Sequence, residues 1–474
     1  MTTCLTDTST PPIAEAGIAQ RLEQLETFAN QVSGAIDQLV NAVVDVQQAK
    51  AGEALAAEVE SLRTKLRELE QQLSIERATR DLAQVSRMHP KARIAVFVGT
   101  TYFGCNVKYA WSQALAQAQA LDLQVWFLPH NAEQERLVGS LGGRCLPLGH
   151  ANWTADHLHT ALSAAVVVTT DHFLNPNPYA AALLAGARHV QLWHGVSIKE
   201  IGLRNLASGR ALGPHLARVL ATCGPYATLL GTAAQGEDEW RRWFSFDRYA
   251  ALGYPRNDVL YRSPTEADLA GCDRDTYDRA MATLARGKRV ILYAPTFRDG
   301  RPDWVLQAGL DRLAQAAQQG GDLLVVNLHP VESPQIPKLA PQLPGVAFVQ
   351  PRTDLYPLLG RVSALVTDYS SVMFDFLHVG RPVLLFRPDH EAYVQKSRRL
   401  FDDKLAELPG PLYTEAAALA RALRRADLDQ TEAHVQARSR LRAQWFDHAD
   451  GHSAERLMAV LQDEVLRAGA PAAS

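Results

Sequence analysis

Short apolar runs that stop abruptly at polar or turn-forming residues recur through residues 92–386, with helical periodicity between them. Arg93-Ile94-Ala95-Val96-Phe97-Val98, Leu123–Leu128, Ala164–Thr170 and Val190–Trp193 form a first series, and further runs begin at Val290, Leu323, Ala347, Ala364 and Val383. Strands apolar on both faces that alternate with helices build parallel sheets covered on both sides. In such sheets ligands sit beyond the carboxyl ends of the strands. The residues just past each run are therefore the candidates for chemistry.

Five of these places carry it. In Val362–Phe376 an apolar strand passes through Thr367-Asp368-Tyr369-Ser370-Ser371 into an apolar-periodic helix. Asp368, Ser370 and Ser371 are N-cap residue types, so free backbone N–H groups and two hydroxyls can converge on one oxyanion; the plain alternative is a helix cap. Val190-Gln191-Leu192-Trp193-His194-Gly195 brings a histidine to a glycine turn, with Lys199 following. Gly195 permits close approach of a substrate, and an imidazole near its ordinary pKa can take a proton from an attacking hydroxyl. Leu323-Leu324-Val325-Val326-Asn327-Leu328-His329-Pro330 places a second histidine at a strand end. Tyr293-Ala294-Pro295-Thr296-Phe297-Arg298 supplies a guanidinium able to pair a diphosphate bidentately. Gly253-Tyr254-Pro255-Arg256-Asn257-Asp258 is the fifth, with a composition that also suits an ordinary turn.

The ordered set WHG, GYPRND, YAPTFR, LHP and TDYSSVMFDF resembles the CDP-glycerol glycerophosphotransferases, over roughly residues 92 to 465. The resemblance implies two facing Rossmann-like domains in a GT-B-like α/β arrangement. It also implies transfer of glycerol phosphate, or another alditol phosphate, from a CDP-activated donor to a polyol-phosphate or lipid-linked acceptor. His194 is then the catalytic base and His329 a second catalytic histidine at the diphosphate. Trp193, Gly195, Lys199, Arg256, Thr296, Arg298, Asp368, Ser370, Ser371 and Asp375 are the implied substrate-binding residues. No metal site and no cofactor are expected. Val196-Ser197 stands where the family commonly has Thr-Pro, Asn327 where it has Lys, and Phe297 where tryptophan is frequent. These departures bear on the polyol or acceptor more than on the reaction class.

At 474 residues the chain exceeds one ordinary core, and 47% apolar residues is a globular composition. A net charge of −3 without a basic, aromatic-interleaved stripe excludes nucleic acid as the expected partner. Five scattered cysteines (Cys4, Cys105, Cys145, Cys223, Cys272) lack metal-ligand spacing and read as reduced thiols. His157 and His159, two apart, would point to different helix faces and make no metal pair. No signal pattern and no apolar run of roughly 18 residues is present, so export and membrane spanning are not expected. The expected location is cytoplasmic, with a peripheral place on the inner membrane face implied by a lipid-linked acceptor. Asp171-His172 is a further candidate at the acceptor cleft, and Asp354 a weaker one at the nucleotide or polyol.

The first ninety residues have a different pattern. Ile18, Leu22, Leu25, Ala29, Val32, Ile36, Leu39, Val43 and Val46 alternate steps of four and three, a coiled-coil seam. Leu55, Val59, Leu62, Leu66, Leu69 and Leu73 form a second seam two residues out of register, with Gly52 in the break. A two-residue slip is not absorbed by a continuous coil, which predicts a helical hairpin near Gly52 or two consecutive bundles. A homo-oligomer through this extension is the functional expectation; an amphipathic helix packed on its own catalytic domain is the other. The expected division is 1–90 helical extension, 91–255 acceptor-side domain and 256–474 nucleotide-donor domain, with the terminal helix Ala454–Leu466 packing back on the first domain. Two other functions share these features: a GT-B glycosyltransferase or epimerase using another sugar nucleotide, and a non-catalytic coiled-coil assembly protein.

Overall fold

The computed structural model describes residues 31–42, 52–171, 175–198, 201–203, 223–298, 304–396 and 407–469. Two compact units divide the chain, Met1–Arg77 and Ala78–Ser474. In the first, 31–42 is helical and a 37-residue helix, Gly52–Met88, begins at the glycine that breaks the two seams. The segment 43–51, where a hairpin turn was expected, and most of the first seam lie outside the described residues.

The second unit holds two parallel sheets. The first comprises β1 (Ala92–Val98), β2 (Gln124–Leu128), β3 (Arg144–Cys145), β4 (Ala164–Thr169), β5 (Arg188–Gln191), β6 (Tyr226–Gly231) and β7 (Phe246–Ala251), in spatial order 3-2-1-4-5-6-7. The second comprises β8 (Val290–Ala294), β9 (Leu323–Val326), β10 (Ala347–Phe348), β11 (Ala364–Thr367), β12 (Val383–Phe386) and β13 (Leu412–Tyr413), in order 10-9-8-11-12-13. Both sheets reverse direction beside their first strand, between β1 and β4 and between β8 and β11. That reversal opens a crevice at the strand ends. This is the α/β, two-Rossmann, GT-B-like fold the sequence predicts.

Period-two alternation assigns each strand's side chains to two cores. Ala95, Phe97, Val125, Phe127, Val166 and Val168 face helix Cys105–Ala116 and helix Ser453–Arg467. Ile94, Val96, Val98, Leu128 and Val167 face the opposite layer, which includes Leu82. The second sheet divides in the same way, with Leu292, Val325, Leu365 and Leu385 on one face and Ile291, Leu324, Val366 and Leu384 on the other.

Helix Ser453–Arg467 follows helix Glu432–Trp445, whose Leu441 packs in a second-sheet core, yet buries Leu457, Leu461 and Val465 against the first sheet. Its start is held by Asp258, whose carboxylate accepts from Ser453 N at 2.9 Å and Ala454 N at 2.8 Å. An anion at the free N–H groups of a helix start is stabilising. The buried Glu464 accepts from Arg188 Nε and from Thr228 Oγ1. Among the described residues no helix is long and apolar enough to cross a membrane.

Two differences from the sequence reading concern polar residues. The sequence suggests a polar loop through Asn106 and a helix from near Tyr109, but the helix starts at Cys105, and β6 and β7 were not anticipated. Asn106, Lys108 and Thr228 are polar, yet fully buried, because each has a partner far along the chain. The edge strand β7 carries Asp247 and Arg248, which conceal a strand pattern.

The fully buried Leu461 and the exposed Leu466 test whether the terminal helix stabilises the first sheet. Leu461→Ala is expected to cost about 2–5 kcal/mol, and Leu466→Ala about 0.5 kcal/mol or less. Denaturant titration distinguishes them; equal midpoints would mean that the helix does not contribute.

Candidate active site

The carboxyl ends of both sheets line one cavity of about 760 Å³. His194, Gly195 and Tyr102 reach it from the first sheet, and Thr296, His329, Ser370 and Ser371 from the second. Among the described residues the lining includes Arg256, Arg352 and the two histidines but no carboxylate. In a chain of net charge −3 this is a local field suited to an anion.

His194 is presented by a backbone that the surrounding structure fixes. Trp193 is held at φ +52 and Gly195 at φ +147. Trp193 N donates to Gln191 Oε1 at 2.9 Å, and its carbonyl accepts from Asn106 Nδ2 at 2.8 Å and Thr170 Oγ1 at 2.7 Å. The Trp193 indole packs against Trp240 and Phe244, and the imidazole stacks on it at 4.4 Å. His194 Nδ1 lies 3.3 Å from the Thr170 carbonyl and 3.9 Å from Asp171 Oδ1. A carbonyl only accepts, so in the neutral ring this contact places the proton on Nδ1 and the lone pair on Nε2. His172, beside Asp171, lies outside the described residues, as does Lys199.

His329 has the opposite polarity. Its Nδ1 accepts from Val331 N at 3.3 Å, so Nε2 carries the proton and is a donor. The exposed ring lies 4.5 Å from Phe297. Two histidines, one from each sheet, thus offer an acceptor and a donor.

Ser371 stands at the start of the short helix Val372–Phe376 but its side chain makes no capping bond. Thr296, which also reaches the lining, spends its hydroxyl on Asp368. The polar residues around the serines do the holding. Asp368 accepts from Thr296 N and Oγ1, both at 2.9 Å, from Tyr369 N, and from Arg298. Arg298 also forks onto Asp389 with two 2.9 Å bonds and donates to the Thr296 carbonyl and hydroxyl. Its guanidinium lies over Trp304 and Tyr393. Burial works against that charge, but the carboxylates of Asp389 and Asp368 more than offset it and raise the pKa above the ordinary range. Arg298 and Asp368 do not line the cavity. They clasp the two turns that present Thr296, Ser370 and Ser371.

Asp375, 0% exposed, is likewise behind the cavity and accepts from Arg256 Nη2 at 2.6 Å, Tyr356 Oη at 2.7 Å and Asn257 Nδ2 at 3.1 Å. Arg256 therefore touches the cavity while committed to Asp375. Burial disfavours its charge, and Asp375 holds the pKa well above the usual guanidinium value. A Cβ built on Gly195 would sit 3.0 Å from Ser371 Oγ and 3.2 Å from Arg256 Nη2. The WHG turn and the serine turn are that close. Asp354 lies 1% exposed, paired with Lys108 Nζ and Tyr109 Oη at 2.8 Å each, and ties the two halves.

Sequence reasoning missed Asn106. Its Oδ1 accepts from Arg256 N at 3.1 Å while its Nδ2 holds the Trp193 carbonyl. Its place just beyond β1, at the first sheet's point of reversal, was the available signal. Thr170, beyond β4 at the same reversal, was missed with it. Asn106→Ala leaves the Arg256 N–H buried without its acceptor and is expected to destabilise by about 1–3 kcal/mol. Gly195→Ala forces an L side chain into a left-handed backbone against Ser371 and is expected to cost about 1–3 kcal/mol. Denaturant midpoints check both, and an unshifted Asn106→Ala midpoint would remove its positioning role.

Residues 87–462 match the family described as CDP-Glycerol:Poly(glycerophosphate) glycerophosphotransferase. The chain is 27% identical over 288 residues to the teichoic acid glycerol-phosphate transferase of Staphylococcus aureus (strain NCTC 8325 / PS 47), covering 57% of this chain and 69% of that protein. It is 30% identical over 236 residues to the teichoic acid poly(glycerol phosphate) polymerase of Bacillus subtilis (strain 168), covering 47% of this chain and 30% of the polymerase. The chain thus spans about a third of that longer relative. The solved structure of the wall teichoic acid polymerase TagF is similar in fold, with a TM-score of 0.63 at 21% identity, over 86% of this chain and 98% of the polymerase chain. A variant of that polymerase soaked with CDPG superposes with a TM-score of 0.61, at 20% identity over 86% of this chain and 98% of that one. With the family match running across both sheets and every strand-end motif, the chain belongs to the CDP-glycerol:poly(glycerophosphate) glycerophosphotransferase family.

Proposed function

We propose that this enzyme transfers glycerol phosphate, or a related alditol phosphate, from a CDP-activated donor to a hydroxyl of a cell-envelope polymer or lipid-linked acceptor, releasing CMP. The observation that carries this reading is the cavity itself. Its described lining holds no carboxylate and pairs an acceptor imidazole nitrogen with a donor imidazole nitrogen and two serines. The acceptor oxygen attacks the β-phosphorus and its proton passes to His194 Nε2. The bond from that phosphorus to the bridging oxygen breaks, and the electron pair leaves with CMP. His329 Nε2–H and the Ser370 and Ser371 hydroxyls donate to the diphosphate oxygens where that charge collects. Lys199 is proposed to assist from outside the described residues.

Arg298, Asp368 and Asp375 enter as positioning groups, since their side chains are spent on protein partners. Trp193 orients His194 by stacking, and Arg256 meets the substrate edge while anchored behind. The division 1–90, 91–255 and 256–474 assigns the base to an acceptor-side domain and the diphosphate site to a donor domain. A lipid-linked acceptor would bring the enzyme to the inner face of the membrane as a peripheral protein. Self-association through the N-terminal extension belongs to the same reading.

The test is CMP release from CDP-glycerol and CDP-ribitol, with and without a lipid-linked glycerol-phosphate acceptor. Acceptor-dependent release is expected, reduced about 10²–10⁴-fold in His194→Ala with the donor dissociation constant unchanged. Ser371→Ala is expected to weaken donor binding by about 10–100-fold. Consumption of a UDP-sugar without CMP release from either CDP-alditol would select the glycosyltransferase or epimerase reading and overturn this one.

A further inference from the structure

The helix Gly52–Met88 carries an apolar stripe that no other described residue covers. Leu62, Leu66 and Leu69 are 38%, 37% and 38% exposed, and Val59 and Leu73 flank them half-buried. The five positions alternate steps of three and four, so Val59, Leu66 and Leu73 occupy a and Leu62 and Leu69 occupy d of a heptad. The next d and a positions are Glu76 and Arg80, where the seam stops. From Ala78 the helix belongs to the second unit, where Leu82 packs in a core and Ser86 Oγ donates to the Leu183 carbonyl at 2.6 Å. Val85 and Met88 are also exposed further along the helix, but the run of exposed leucines at heptad spacing ends at Leu69.

We infer that this segment pairs with a second copy of the chain as a parallel, in-register, two-stranded coiled coil. Charge at the flanking positions selects the partner and its direction. In parallel pairing each g residue meets the e residue five positions on in the other copy. Glu58 then meets Arg63, and Lys65 meets Glu70, twice each across the pair. Antiparallel pairing with Leu66 opposite Leu69 retains only the Arg63–Glu70 pairs and sets Lys65 against Gln72. Antiparallel pairing with Leu66 opposite Leu62 sets Arg63 against Arg63 and Lys65 against Lys65. Leucine at d with valine at an a position suits two strands. A parallel coil delivers the catalytic units of both copies from the same end.

The test is the mass of the full-length protein in solution at micromolar concentration, by sedimentation equilibrium. Wild type is expected at twice the chain mass. The triple variant Leu62→Ala/Leu66→Ala/Leu69→Ala is expected to be a monomer with an unchanged unfolding midpoint for the second unit. Arg63→Glu/Glu70→Lys makes all four parallel contacts repulsive but leaves the antiparallel pairs attractive, and is expected to weaken self-association by about tenfold or more. Mixing it with Glu58→Lys/Lys65→Glu is expected to restore a mixed dimer. A monomeric wild type would overturn the proposal in favour of cover by the chain's own N-terminal residues. A trimer would overturn the two-stranded form, and undiminished self-association of Arg63→Glu/Glu70→Lys would overturn the parallel direction.

Discussion

The ion pair between Arg256 and Asp375 is the contact on which the geometry of the site rests. Both groups are buried, and water cannot replace either partner. Breaking such a pair leaves an uncompensated charge in the interior, a cost of about 3–5 kcal/mol. Arg256 belongs to the segment leaving the first sheet, and Asp375 to the helix Val372–Phe376 that follows Ser371. Through Asn106 the backbone of Arg256 is bonded to the residue whose carbonyl bond fixes Trp193. One hydrogen-bonded chain therefore runs from the turn that carries His194 to the helix that carries the serines. The two halves of the site are registered by protein contacts before any ligand enters, which limits the reorganisation a ligand must drive.

Three buried acids near the site, Asp354, Asp368 and Asp375, share one place, a layer behind the cavity. Asp368 clasps Thr296, Asp375 anchors Arg256, and Asp354 neutralises Lys108. Their negative charge holds donors and turns in place and lies off the described cavity lining. The cavity keeps the positive and hydroxyl character while the interior keeps the countercharge. This separation explains how a chain with more acidic than basic residues presents an anion-binding surface.

The strand-end motifs were legible because their chemistry is local: an apolar run, a turn residue and a reactive side chain lie within ten positions of one another. His194, His329, Ser370 and Ser371 reach one cavity as that pattern suggests. What could not be read was the difference between touching a ligand and holding a residue that does. Arg298 has the type and place of a diphosphate ligand, but its partner Asp389 is 91 residues away. Asn106 and Lys108 read as loop because their partners are 87 and 246 residues distant. Long-range partners convert polar residues into core, and a single sequence carries little trace of that pairing. The seam of Leu62, Leu66 and Leu69 was legible for the opposite reason, since heptad spacing is wholly local.

The chain crosses between the two sheets once through Pro255–Tyr261 and again between Trp445 and Ser453. The Asp258 carboxylate bonds the first crossing to the start of the helix that ends the second. The two covalent links between the sheets therefore lie side by side, and one carboxylate joins them. A change at that carboxylate reaches both links at once, so the two connections act as a single joint in the chain.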